Sequence, residues 1–204
     1  MHISEGVLSA PVLISGAALA AAGVAVGLRR LDHERLMSTA MLAAVFFVGS
    51  LVHVPVGLGS AHLILNGLLG MLLGWAAFPA IFTALLLQAV LFQYGGLTTL
   101  GVNTVIMAAP AVLCAALFSP LRAKSVYGRR VAAFCCGAFS VAGAGLLAAL
   151  SLTFSEDGFW LSARLLFVAH IPIMLAEGLV TALAMGFMLK VRPEVFGLRA
   201  AGEV

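Results

Sequence analysis

Residues 7–30, VLSAPVLISGAALAAAGVAVGLRR, decide the fold class: 22 residues without a charge, closed by the pair Arg29-Arg30. About 20 apolar residues in helical form cross the hydrocarbon core of a bilayer, and Lys and Arg collect at the cytoplasmic edge of such a span. The same pattern recurs along the chain. Apolar runs punctuated by Gly, Pro or charge predict seven spans at 7–28, 36–52, 62–74, 77–93, 103–119, 131–153 and 165–190; the third is short for a full crossing and reads as a broken or partly inserted helix. Of 204 residues, 63% are hydrophobic and 9% charged, with a mean hydropathy of +1.15, against about 25% charged in soluble domains. The chain therefore reads as an all-α integral membrane protein forming one transmembrane domain over 1–204. Nothing is left over for a soluble catalytic or nucleotide-binding domain.

The basic residues give the orientation. Arg29, Arg30 and Arg35 follow the first span, Arg122, Lys124, Arg129 and Arg130 the fifth, and Lys190, Arg192 and Arg199 the seventh; only Arg164 lies on the other side. With seven spans this places the C-terminus in the cytoplasm and the N-terminus outside, together with the loops at 53–61, 94–102 and 154–164. A net charge of +3 carried at membrane edges points to the bilayer and not to nucleic acid. Cys114, Cys135 and Cys136 sit in apolar runs without metal-binding spacing and read as small buried side chains. Residues 1–28 have no Lys or Arg ahead of the apolar run, unlike a secretory signal, although the small residues from Ala17 to Gly23 resemble a cleavage site. Ala17 and Ala21, and Gly23 and Gly27, form small-residue pairs four apart that suit close helix packing, within the chain or with a partner.

Chemistry concentrates at the start. In Met1-His2 the α-amine, the His2 amide nitrogen and the His2 imidazole lie on one tether and can close five- and six-membered chelate rings around one cation. A fourth nitrogen completes a square-planar site, the geometry preferred by Ni(II) or Cu(II). This requires Met1 to be the mature first residue; His2 is too bulky for the usual removal of the initiator methionine. His62, at the outer end of the third predicted span, is a reasonable fourth nitrogen, because an imidazole entering a membrane is costly unless it ligates, pairs or lines water. His53, nine residues earlier, reads as a ligand, a transient relay site or an interfacial polar residue, and His33 as a solvated loop residue. His170 and Glu177 share one face of the last span, two turns apart, as a polar network, a cation path or a structural pair. Gln88, Gln93, Thr98, Thr99 and Asn103 add hydrogen-bonding groups, and the glycine-containing stretch 94–103 can fold tightly over a small site. No G-x-x-x-x-G-K-[ST] loop, H-E-x-x-H or defensible Ser/His/Asp set is present, so the reading is a transport subunit and not an enzyme.

Met1-His2-Ile3-Ser4-Glu5-Gly6 resembles the N-terminal signature of the nickel/cobalt group of energy-coupling-factor transporter substrate-binding subunits, the NikM/CbiM family. Gly59-Ser60-Ala61-His62-Leu63, the stretch Phe92 to Asn103, Pro172 to Leu179 and Val191-Arg192-Pro193-Glu194 resemble further segments of that family. The resemblance implies a seven-helix subunit of the prokaryotic inner membrane that captures Ni(II) or Co(II) as substrate. Its ligands would come from Met1, His2 and His62, with Glu5, Gln93 and Asn103 as supporting residues. It also implies a transmembrane coupling subunit, two cytoplasmic ATPase subunits that hydrolyse the ATP, and a small accessory membrane subunit as a further partner. Leu63-Ile64-Leu65-Asn66-Gly67 departs from the smaller residues of cobalt members, which tilts the expectation toward nickel. The alternatives are a cobalt importer serving cobalamin synthesis, a stand-alone cation channel or carrier through His170 and Glu177, and a metal sensor. Because imidazoles must lose protons to ligate, binding is expected to weaken below about pH 6.5.

Overall fold

The computed structural model describes residues 3–51, 53–56, 59–119, 125–155, 164, 168 and 170–191, with backbone alone at 53–56, 59–62 and 126. Apart from one hairpin these residues are helical: α1 (Ala10–Arg29), α2 (His33–Leu51), β1 (His53–Val56), β2 (Gly59–His62), α3 (Asn66–Leu73), α4 (Ala77–Phe92), α5 (Leu100–Leu117), α6 (Val126–Thr153) and α7 (Ile171–Val191). A 3-10 turn at Gly74–Ala76 joins α3 to α4. Pro11 in the first turn of α1 needs no hydrogen-bonded amide there, and Ser125 caps α6 by accepting from the Gly128 amide at 3.0 Å.

Six stretches among the described residues are long and apolar enough to cross a membrane. The expected third and fourth spans fall in one stretch, Asn66–Phe92, broken at Gly74, where φ is +56°. The apolar run there is continuous, and the break falls between 74 and 77, where the expected spans were divided. Leu65 packs at Gly49 near the end of α2, whereas the Leu72 carbonyl accepts from Arg35 Nη2 at 2.9 Å near its start. Next, Trp75 and Pro79 meet Gly27 at the end of α1, and Gln88 donates to the Phe47 carbonyl at 3.1 Å. So α3 runs against α2, the chain reverses at Gly74–Ala76, and α4 runs with α2. The Arg30 guanidinium lies 5.3 Å over the Trp75 ring at this reversal, a cation–π contact.

The surface, and not the core, sets this chain apart from a soluble protein. Ile14, Leu113, Leu117, Leu183 and Phe187 are 64–71% exposed, contiguous apolar surface that suits hydrocarbon and not water. Inside, Ser50, Asn66, Gln88, Asn103, Thr104 and Glu177 are buried and hydrogen-bonded, as polar groups within a bilayer must be. The interior is drawn tight by glycine: a Cβ on Gly70 would lie 2.2 Å from the Ala111 carbonyl oxygen, and one on Gly137 would lie 2.6 Å from the Glu177 carbonyl oxygen. Of the α1 small-residue pairs, Gly23 and Gly27 are buried against Phe78, Trp75 and Pro79. Ala17 and Ala21 line an open groove of about 280 Å³ with Phe82 and Leu97. The expected outer loop at 154–164 and the start of the expected span at 165–190 fall mostly outside the described residues.

Candidate metal centre

Met1 and His2 lie outside the described residues, but the residue bonded to them is fixed. The Ile3 amide donates to Asn103 Oδ1 and the Ile3 carbonyl accepts from Asn103 Nδ2, both at 3.0 Å. An asparagine side chain carries one acceptor and one donor group side by side, so it pairs with a single residue's backbone as a neighbouring strand would. Asn103 Nδ2 also reaches Thr99 Oγ1 at 3.3 Å, and Thr99 and Asn103 are both buried. Ile3 and Leu8 enter the apolar core. Between them, Glu5 Oε1 accepts from the Thr98 amide at 3.2 Å. The Glu5 side chain lies against Gly96, where a Cβ would fall 1.9 Å from Glu5 Cγ and φ is +153°; only glycine permits this approach. The Ser9 amide then donates to Ser155 Oγ at 3.1 Å, tying the segment to the end of α6.

The second segment is the hairpin and the linker after it. β1 and β2 pair antiparallel with His53 directly opposite His62. His62 therefore belongs to a strand, four residues before α3, and does not begin a helix as the apolar pattern suggested: Leu63, Ile64 and Leu65 are as apolar as a helix but serve as linker. The Ile64 amide donates to Glu177 Oε1. The Leu65 amide, at 3.0 Å from each, donates to both carboxylate oxygens. Leu65 takes a left-handed conformation with φ +53°, which costs a non-glycine residue about 1–3 kcal/mol. Asn66 then donates from Nδ2 to the Met107 carbonyl at 3.0 Å and accepts from the Gly67 amide at 2.9 Å.

These two segments converge. Asn103 holds Ile3 and the Met107 carbonyl holds Asn66, and positions 103 and 107 of α5 share one face with a rise of about 6 Å between them. His2 directly precedes the Ile3 anchor, and three residues lie between His62 and the Asn66 anchor. Sequence reasoning named Asn103, Thr99, Glu5, His62 and Glu177 but missed Asn66 and Ser155. Asn66, an amide in a purely apolar run, was the signal available for the first of these. Gln93 is exposed and turns the chain out of α4 with φ +58°; the buried glutamine is Gln88, which donates to Phe47 and Ser50. His170 is buried, 8% exposed, at the start of α7, and its carbonyl accepts from the Met174 amide at 2.9 Å. His33 is exposed at the start of α2.

A helical bundle with an apolar surface and a hydrogen-bonded polar seam, and two chain segments moored side by side on one helix, defines a multi-pass membrane protein. A solved structure described as a truncated transition metal transporter has this fold, with a TM-score of 0.80 over 94% of this chain and 99% of that one, at 24% identity. The family model for CbiM, the cobalt uptake substrate-specific transmembrane region, matches residues 2–195, and the chain belongs to that family. A protein named putative metal transport protein from Haemophilus influenzae is 48% identical over 198 residues, 96% of each chain. Cobalt transport protein CbiM of Kyrpidia tusciae is 32% identical, over 96% of this chain and 85% of that one. The fused nickel transport protein NikMN of Rhodobacter capsulatus is 31% identical over 98% of this chain and 65% of its own length.

Proposed function

We propose that the chain is the substrate-specific subunit of an ATP-driven importer that captures Ni(II) as cargo. Three nitrogens come from Met1 and His2, with Met1 as the mature first residue, and the fourth from the His62 imidazole. The observation that carries this reading is the mooring of Ile3 and Asn66 one turn apart on the same face of α5. It holds the chain next to His2 and the chain after His62 at one end of the bundle. Asn103 and Glu5 position the N-terminal segment. His53, paired across the hairpin with His62, receives the ion transiently; Gln93 lies on the rim.

The chain makes seven passes in alternating directions, the third of them the hairpin linker and α3, with the N-terminus outside and the C-terminus in the cytoplasm. Support comes from the reversal at Gly74–Ala76 and from Arg30 and Arg35 at that end. Transport is driven by a transmembrane coupling subunit and cytoplasmic ATPase subunits, with a small accessory membrane subunit as a further partner. Glu177 is fully buried and occupied by backbone amides, which weighs against a carboxylate-lined path through a stand-alone channel.

Cobalt is the second reading, favoured by the description of the family model. Nickel is preferred because imidazole and amide nitrogens in a plane suit Ni(II). Competition between Ni(II) and Co(II) for the purified chain tests this, with His62→Ala as the comparison. The expected result is one Ni(II) per chain held against excess Co(II), and loss of tight binding in His62→Ala. Retention of Co(II) in preference to Ni(II), or full binding by His62→Ala, would reject it.

A further inference from the structure

We infer that Glu177 is the positioning residue for the His62 half of the metal site, acting through the backbone that follows His62. This deepens the proposed function and rests on its assignment of His62. The segment from His62 to Asn66 has no regular structure to hold it: β2 ends at His62 and α3 begins at Asn66. Leu65 stands at the N-cap of α3 and offers no side-chain cap, so the amides entering the helix need an acceptor from elsewhere. Glu177, more than one hundred residues later in the chain, supplies it. Its carboxylate accepts from Ile64 and Leu65, its two oxygens sharing the Leu65 amide. A carboxylate at a helix N-terminus also meets the positive end of the helix dipole, and bonds to a charged acceptor are stronger than neutral ones.

The carboxylate is itself held rigidly. Glu177 is 0% exposed. Gly137 on α6 lets the α7 backbone approach so closely that any Cβ would strike the Glu177 carbonyl oxygen and Thr181 Oγ1; Gly178 does the same against Phe134. The lever is thus short and stiff: α6 fixes α7, α7 fixes the carboxylate, and the carboxylate fixes the backbone two residues after His62. The left-handed Leu65 kink ends the linker at a set angle. Without the clamp, His62 keeps its place in the hairpin but the backbone that follows it loses its anchor.

The test uses the full chain in detergent loaded with Ni(II), following its visible absorption and its release rate to an excess of EDTA. Glu177→Leu is expected to release Ni(II) at least about tenfold faster, the usual scale for groups that orient ligands. Its absorption should shift as the fourth nitrogen is replaced by solvent. Glu177→Gln keeps one acceptor oxygen and should fall between Glu177→Leu and the native chain. Thr181→Val lies at the same α6–α7 contact, and Thr181 Oγ1 has no hydrogen-bond partner; it should leave both readouts unchanged. A role limited to helix packing would move Thr181→Val along with the Glu177 variants and overturn the inference. Native release and absorption in Glu177→Gln would also overturn it, even where Glu177→Leu fails to fold. A chain with one residue added before Met1 separates the two levels. If it loses Ni(II) while the Glu177 variants behave as native, only the positioning role fails; if it binds normally, the metal site fails and the positioning role with it.

Discussion

At the scale of single residues, Asn103 does what a β-strand does elsewhere: it satisfies both backbone groups of Ile3 inside the bundle. It also occupies the Ile3 amide, so that nitrogen is not available to a metal, in keeping with a proposed chelate that ends at His2. Each net hydrogen bond contributes about 0.5–1.5 kcal/mol. Asn103→Ala is therefore expected to weaken Ni(II) affinity roughly 5- to 150-fold through loss of two such bonds, measured by competition with a calibrated chelator. Unchanged affinity would mean the N-terminal segment is held by other contacts. Asn103 was legible as a polar group beside an apolar span, and Glu177 as a carboxylate that a membrane helix must justify. Their partners were not. Backbone amides carry no sequence signature, so nothing in Leu63-Ile64-Leu65 announces that two of its N–H groups meet a carboxylate from α7.

At the scale of elements, α3 is the instructive case. Eight residues at 1.5 Å each rise about 12 Å, less than half of the roughly 30 Å hydrocarbon core, and the chain reverses where a longer helix would have continued. The short third run in the sequence already suggested a partial insertion. Among the described residues hydropathy located each of the helices α1 to α7, because apolar surface is what both lipid and core demand. It did not distinguish linker from helix at 62–65, since both are equally apolar, but it did divide the run between 74 and 77, where the 3-10 turn Gly74–Ala76 interrupts it. The reversal has a topological consequence. In chains otherwise free of cysteine, Thr98→Cys in the loop after α4 should react with a membrane-impermeant maleimide in intact cells. Asp32→Cys, between α1 and α2, should react only after permeabilisation. The opposite pattern would invert the assigned orientation and place the Ile3 segment in the cytoplasm.

At the scale of the whole molecule, rigid packing is concentrated where the two halves of the site are moored. α5 is the common post: Gly16 packs on Val102 and Gly101 on Ala17 to bring α1 and the N-terminal segment to it, Gly70 packs on Ala111 to bring α3, and Gly143 meets Pro110 to bring α6. α7 joins through α6 and through Glu177. Arg30 and Arg35 lie at the other end of the bundle, beside the reversal at Gly74–Ala76, where the proposed cytoplasmic partners would engage. The proposed site would bind at one end of this frame and depend on an α-amine that no side chain can replace. The most direct measurement is the Ni(II) stoichiometry of the purified native chain beside one carrying a single extra residue before Met1. About one Ni(II) per native chain and none in the extended chain is the predicted result. Equal binding by the two would contradict a site built on the amine of Met1.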